Sequence, residues 1–223
     1  MRKVMRLQKP DSLESNASRW TKELLDEIEA KGSYTRVDDK IKNRYRQEDV
    51  KTALEKMYRK HCCYCESIVG VCSYGRIEHL KPKSLPEFHQ YTFDWENLHW
   101  CCEVCNTSYK KANWDFQYPI LDPAKEDIER YLRLNLTTGE YEEIDGNKRA
   151  KTTIVHTGMN RNELVKARRR IVIRFLKDYK VYSECGRGKE YCDEWRVLKE
   201  DTNFPSLYDE LMQAAMIKAY VRD

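Results

Sequence analysis

The chain has 223 residues, 35% of them charged and 40% hydrophobic, with a net charge of +4. That length suits one domain, or a small site unit wrapped by a larger scaffold, beneath a densely charged surface. No apolar run approaches the ~20 residues needed to cross a membrane, which excludes a helical membrane protein; the mild basic excess permits nucleic-acid binding without requiring it.

The first ten residues are basic and extended, and MRKVMRLQKPDS lacks the apolar core of an export signal. Nine cysteines, an odd number with four in two tight pairs, then point to metal binding in a reducing compartment rather than to disulfides. The expected location is the cytoplasm. Asp11-Ser12 is a candidate helix cap, and Trp20, Leu24 and Ile28 recur at helical spacing, so residues 13–31 read as an amphipathic helix ending near Gly32. Residues 33–46 read as a loop or short helix. A second helix over 47–60, with Val50, Leu54, Met57 and Tyr58 on its inner face, delivers the chain to Cys62. Residues 1–61 thus form an N-terminal helical segment.

Cys62-x-x-Cys65 and Cys102-x-x-Cys105 each place two thiols on one side of a tight turn. Two such turns complete a tetrahedron around Zn2+, with sulfur at about 2.3 Å. Four thiolates leave no open position, so this zinc is structural. Cys63 and Cys101 lie beside the proposed ligands and are alternatives, as are His61 and His99; His89 and His156 read as loop or helix-surface residues. Between the pairs, residues 75–81 read as a short strand that Pro82 ends. Residues 83–95 read as a loop, 97–100 as a returning strand, and 106–112 as the start of a helix. The strand carries Glu78-His79, and Asn97 and Asn106 follow. Phosphodiester hydrolysis needs an activated water, a cation at the phosphate and a stabilised leaving oxygen. An imidazole that titrates near neutrality suits the general base. A carboxylate with an amide oxygen is a hard, incomplete shell that suits Mg2+ or Mn2+.

In the body, residues 119–123 are a rigid crossing, and 131–144 form a hairpin turning at Thr138-Gly139. Residues 148–156 read as a helix with Ala150, Ile154 and Val155 inward, stopped by Gly158. Asn160 caps the longest helix, over 161–182, with Leu164, Ala167, Ile171, Val172, Phe175, Leu176 and Tyr179 inward and Lys166, Arg168, Arg169 and Arg170 on its polar face. Cys185 and Cys192 flank a basic, Gly-containing loop and could contribute to a second metal. A last helix starts at 204–206, with Ser206 and Asp209 at capping-box spacing and Leu211, Ala215 and Ile217 apolar.

The run Cys62-x-x-Cys65, Ile77-Glu78-His79-Leu80-Lys81-Pro82-Lys83-Ser84, Trp95-Glu96-Asn97-Leu98 and Cys102-x-x-Cys105-Asn106 resembles the HNH, or His-Me finger, nuclease superfamily. This covers about a quarter of the chain. With Cys62-Cys63-Tyr64-Cys65-Glu66, Pro119-Ile120-Leu121-Asp122-Pro123 and Gly158-Met159-Asn160-Arg161, the wider context resembles the HNH subunit of Septu-type antiphage defence, including retron-associated versions. The resemblance implies an α+β fold: a zinc-stapled ββα-metal unit over residues 62–112, embedded in a mainly α-helical scaffold whose body, residues 113–223, carries one extra β-hairpin. It implies a metal-dependent endonuclease, DNA favoured, with His79 as base and Asn97 orienting its ring. Glu78 and Asn106 would hold the catalytic Mg2+ or Mn2+, and Lys83, Lys110 or Lys111 would contact phosphate. An ABC/OLD-like ATPase subunit would gate the nuclease, and a retron reverse transcriptase with its msDNA is a further partner. Glu78 stands where other members carry Asp, and Asn106 where others carry a third histidine. A noncatalytic zinc module binding nucleic acid or protein, and an HNH-type ribonuclease acting on tRNA, are the alternatives.

Overall fold

The computed structural model describes residues 1–70, 74–198 and 202–220, with side chains through 215. It is a mixture of helix and strand in which one buried apolar cluster runs from Met1 to Ala215. Helix α1 (Asp11–Lys31) buries Leu13, Trp20 and Leu24, a spacing that keeps them on one face. Gly32 ends it at φ 72°, where a side chain would cost energy. Asp11 and Ser12 do not cap α1: Pro10 holds the cap position, and both the amide and the hydroxyl of Ser12 donate to Asp49 at 2.9 and 2.8 Å. Asp49 belongs to α3 (Glu48–Met57), so the two helices are tied where α1 begins. Between them lies the single turn α2 (Asp39–Lys42), capped by Asp38. Val50, Leu54, Met57 and Tyr58 are buried, as expected. Arg59 and Lys60 then adopt positive φ, a sharp exit that aims the chain at Cys62.

Strands β1 (Gly75–His79) and β2 (Leu98–Cys102) pair antiparallel, with Gly75 opposite Cys102 and His79 opposite Leu98. All of β2 is buried. A two-stranded ribbon is marginal alone, and here α3 packs on it. The Trp100 indole covers Gly75 so closely that a Cβ there would lie 1.9 Å from the ring. Gly75→Ala is therefore expected to destabilise the protein by about 1–3 kcal/mol, the usual cost of overpacking, measurable as a lower urea midpoint with unchanged slope.

The expected helix after Cys105 starts two residues earlier, at Val104, and runs to Lys110 as a π-type turn. Its closing bond runs from the Lys111 amide to the Asn106 carbonyl, 2.8 Å. This wider winding stacks residues four apart more nearly over one another.

Strands β3 (Leu132–Leu134) and β4 (Tyr141–Glu143) form the expected hairpin. Helix α4 (Lys148–Thr157) is capped by Asn147 and stopped by Gly158, whose Cβ position is filled by the Tyr109 ring. Its inner face is Ala150, Thr153 and Thr157; Val155, expected inward, is 63% exposed. The face is turned because the buried Thr153 hydroxyl accepts the Leu121 amide at 2.9 Å. Asn160 does not cap α5 (Asn162–Glu184) either. Its amide takes both backbone groups of Tyr141, each at 2.8 Å, and pins the hairpin to the helix start.

On α5, Leu164, Val172 and Phe175 are buried while Leu176 is exposed. Arg168, expected on the polar face, is fully buried. Its guanidinium lies 4.7 Å from the Tyr141 ring centroid and 5.4 Å from that of Phe204, and donates to the Gly139 carbonyl at 3.2 Å. The stretch expected to be a basic loop is helix α6 (Gly188–Leu198). In α7 (Pro205–Tyr220), Ser206 turns to a distant carboxylate. Its amide and hydroxyl donate to Glu66 at 2.9 and 2.6 Å, so the residue after Cys65 anchors the last helix. Leu211 and Ala215 are buried as expected; the Ile217 side chain lies outside the described residues. Among the described residues no helix is long and apolar enough to cross a membrane.

Candidate metal centre and cleft

Cys62, Cys65, Cys102 and Cys105 converge, all buried, with their sulfur atoms within 4.8 Å of one another. Sulfurs of Cys65 and Cys102 are 3.8 Å apart. Sulfurs on a tetrahedral zinc at about 2.3 Å are separated by about 3.8 Å, so the donor set and its spacing fit that ion. Three features build the cluster: the sharp exit from α3, the β1–β2 register, and the turn after Cys102, where the Cys105 amide donates to Cys102 sulfur at 3.4 Å. Cys62, Cys63 and Cys101 form a second, three-sulfur group sharing Cys62, whose sulfur is 3.6 Å from that of Cys101. The paired spacing nonetheless selects the four-sulfur set.

The alternative ligands lie elsewhere. The His61 ring donates to the Thr202 carbonyl at 2.8 Å. His99 is paired with the Tyr58 hydroxyl at 2.5 Å, and burial holds its imidazole well below the usual range. His89, expected on a loop or helix surface, is buried and stacked on Tyr34, while His156 is partly buried. Cys185 is exposed and Cys192 buried, and neither joins a metal-ligating group among the described residues.

One residue that sequence reading missed completes the cluster's surroundings. Arg161 donates to Cys105 sulfur at 3.2 Å. Four thiolates around one Zn2+ carry two surplus negative charges, and a guanidinium at that distance offsets one. Arg161→Ala is expected to weaken zinc retention about 10–100-fold, the usual effect of losing an outer partner, read as faster zinc transfer to a chromogenic chelator.

Glu78 and His79 both line one cleft of about 630 Å³ between β1 and the segment preceding α3. The Glu78 carboxylate is buried and accepts the Tyr64 hydroxyl at 3.3 Å, and the Asn106 amide donates to its second oxygen. Lys110 Nζ stands 3.5 Å from the first oxygen. Lys110 is fully buried and its ammonium has no hydrogen-bond partner, so it does not reach the cleft as a free phosphate contact. Burial pushes the Glu78 carboxyl up to about 7, against the opposing charge of Lys110. His79 donates from Nε2 to the Thr92 carbonyl at 3.0 Å, which leaves Nδ1 with its lone pair. Burial, with the charge of Lys83, holds its imidazole down to about 3, not near neutrality as expected from the sequence.

Among the described residues Asn97 makes no hydrogen bond to the His79 ring. Its amide donates to the Lys81 and Tyr91 carbonyls, each at 3.1 Å, and accepts the Lys81 amide at 2.7 Å. It closes the loop that carries Thr92 and so acts on His79 at one remove. Lys83 and Lys111 line the cleft, together with Arg46, Lys51 and Arg76, which the sequence did not single out. Tyr64, between Cys62 and Cys65, was read only as part of the motif and was given no role at Glu78. Thr92 was not singled out, because it works through its backbone.

No family model matches the chain. It is 27% identical to Septu protein PtuB of Bacillus mycoides (strain KBAB4), over 76% of this chain and 69% of that protein. A chain that buries four convergent cysteines beside a Glu-His-Asn cleft is thus similar, over three-quarters of its length, to a Septu protein.

Proposed function

We propose that the protein is a metal-dependent HNH endonuclease, DNA favoured, acting as the nuclease effector of an antiphage defence assembly gated by an ATPase subunit. One observation carries this reading. A buried carboxylate, Glu78, faces Asn106 and the ammonium of Lys110, and Glu78 and an imidazole with a fixed tautomer line the same cation-rich cleft. The arrangement of β1, β2 and the turn from Val104 supports a ββα-metal unit, and the likeness to a Septu protein supports the defence role.

Glu78 and Asn106 would hold Mg2+ or Mn2+. The donor set fits: a buried carboxylate stands beside the Asn106 amide, and rotating that amide by half a turn presents Oδ1 instead of Nδ2. A cation held there would supply charge neutralisation at the phosphate and at the leaving oxygen. His79 Nδ1 takes the proton of the attacking water, and the Thr92 carbonyl stabilises the imidazolium that forms. Lys83 and Lys111 face the phosphate from the cleft. Tyr64 and Lys110 hold the Glu78 carboxylate from behind.

The carboxyl of Glu78 has a direct pH consequence. Its value is raised on folding, so the cation-free protein is favoured below the ordinary carboxylate range and loses that contribution as pH rises through about 7. A divalent cation needs the ionised form. The rise in melting temperature caused by Mn2+ is therefore expected to be larger at pH 8 than at pH 6. His79 stays neutral throughout this window and does not set the profile.

The reading is tested with plasmid DNA, single-stranded DNA, total RNA and tRNA under Mg2+ or Mn2+, with and without the copurifying ATPase. Cleavage of DNA supports the proposal. Cleavage confined to tRNA replaces the substrate class. Binding without any cleavage, partner and both metals present, favours a noncatalytic zinc module.

A further inference from the structure

The cleft has a second wall built from outside residues 62–112. Tyr45 and Arg46, just before α3, and Lys51 within it line the cleft together with β1. Tyr45 is 3% exposed. Its ring meets the His79 imidazole edge to face, with centroids 4.6 Å apart and planes at 88°. Lys83 Nζ lies 4.4 Å from the ring centroid and donates to the Tyr45 hydroxyl at 3.0 Å. Arg46 Nε donates to the same hydroxyl at 3.3 Å. That hydroxyl also faces Asn43 Oδ1 at 3.4 Å, so its bonding is satisfied in place. One aromatic side chain therefore fixes an imidazole and two cations at one end of the cleft.

The contact with His79 answers a mechanical need. The bond from Nε2 to the Thr92 carbonyl sets the tautomer and one direction of the ring. It does not stop the imidazole tilting about that bond. A perpendicular ring in van der Waals contact does, and edge-to-face pairs add about 0.5–1.5 kcal/mol beyond their buried area. The charge pattern around it points to a polyanion. Among the described residues the cleft is lined by Arg46, Lys51, Arg76, Lys83 and Lys111 but by one carboxylate, Glu78. Two of these cations come from the N-terminal segment.

We infer that Tyr45 is a positioning residue for His79, and that Tyr45, Arg46 and Lys51 form the second wall of a groove for a phosphodiester strand. The site is then incomplete without the N-terminal segment. This deepens the nuclease reading and rests on it for the reaction, though the placement of His79 can be tested without any reaction.

The test uses the full-length chain, with its ATPase subunit if wild type needs it, and the variants Tyr45→Leu, Tyr45→Phe and Arg46→Ala. If Tyr45→Leu does not fold, Tyr45→Met replaces it. Imidazole NMR resonances of His79 should move in Tyr45→Leu, through loss of the ring current, and stay near wild type in Tyr45→Phe. Cleavage by Tyr45→Leu should show kcat lowered about tenfold or more with KM within about twofold, and Tyr45→Phe should restore kcat. Binding of a fluorescent DNA oligonucleotide by Arg46→Ala should show a salt slope shallower by about one. Unmoved His79 resonances in Tyr45→Leu, or a Tyr45→Phe variant as impaired as Tyr45→Leu, would overturn the positioning role. An unchanged salt slope in Arg46→Ala would overturn the second wall. Moved resonances in a protein that cuts nothing uphold the positioning role and count against the nuclease reading alone.

Discussion

His79→Ala is expected to lower the single-turnover cleavage rate by about a thousandfold, within the range that general bases contribute, while leaving the fold in place. Among the described residues the ring makes one hydrogen bond, to the Thr92 carbonyl, and one close ring contact, to Tyr45. Removing it leaves a carbonyl unpaired, at about 1–3 kcal/mol, against a total stability of about 5–15 kcal/mol for a typical domain. Zinc content and nucleic-acid affinity should therefore match wild type. The effect belongs to the rate and not to binding: the cations that line the cleft are untouched. Residual cleavage within about tenfold of wild type would remove His79 from the mechanism.

The second large effect concerns zinc. Four buried thiols within 4.8 Å of one another are packed as a set, and a shared metal would join the ends of the intervening loop beside the β1–β2 pairing. The β1–β2 ribbon has five residues in each strand and two strands in all. Structural zinc contributes about 10–16 kcal/mol in small zinc-finger peptides. If only about 5 kcal/mol of that acts here, chelation lowers the melting temperature by about 10–20 °C in a chain of this size. Cys65→Ser should behave like chelation. Cys63→Ser and Cys101→Ser should retain one zinc per chain, since these residues lie outside the four-sulfur set. Loss of zinc from Cys63→Ser but not from Cys65→Ser would reassign the ligands. An unchanged melting temperature after verified zinc release would deny the metal its structural role.

Features carried by local spacing were legible in the sequence. The two Cys-x-x-Cys turns, the inner face of α3, the hairpin turning at Gly139 and the stop at Gly158 all depend on a few neighbouring residues. Features decided by distant partners were not. Asn160 looks like a helix cap from its neighbours, but the edge of β4 claims its amide. Ser206 likewise turns to Glu66, which is 140 residues away. Arg168 sits in a basic run that reads as surface, yet two aromatic faces and a carbonyl receive it inside. The candidate site divides the same way. Glu78, His79 and Asn106 were named from residue type and order. The Thr92 carbonyl has no signature in a side chain, and Tyr45 lies outside the motif altogether. Asn97 was expected to orient the His79 ring, but its amide bonds backbone that only the folded loop brings near.

The central claim is that Glu78 and Asn106 hold the cation that cleavage requires, and Mn2+ titration by electron paramagnetic resonance tests it most directly. Wild type and Glu78→Gln would be compared at pH 8 with zinc in place, and DNA cleavage followed in the same samples. The account predicts a Mn2+ site in wild type that Glu78→Gln loses, with cleavage lost in parallel while the zinc remains. Mn2+ binding and cleavage that both survive in Glu78→Gln would contradict it.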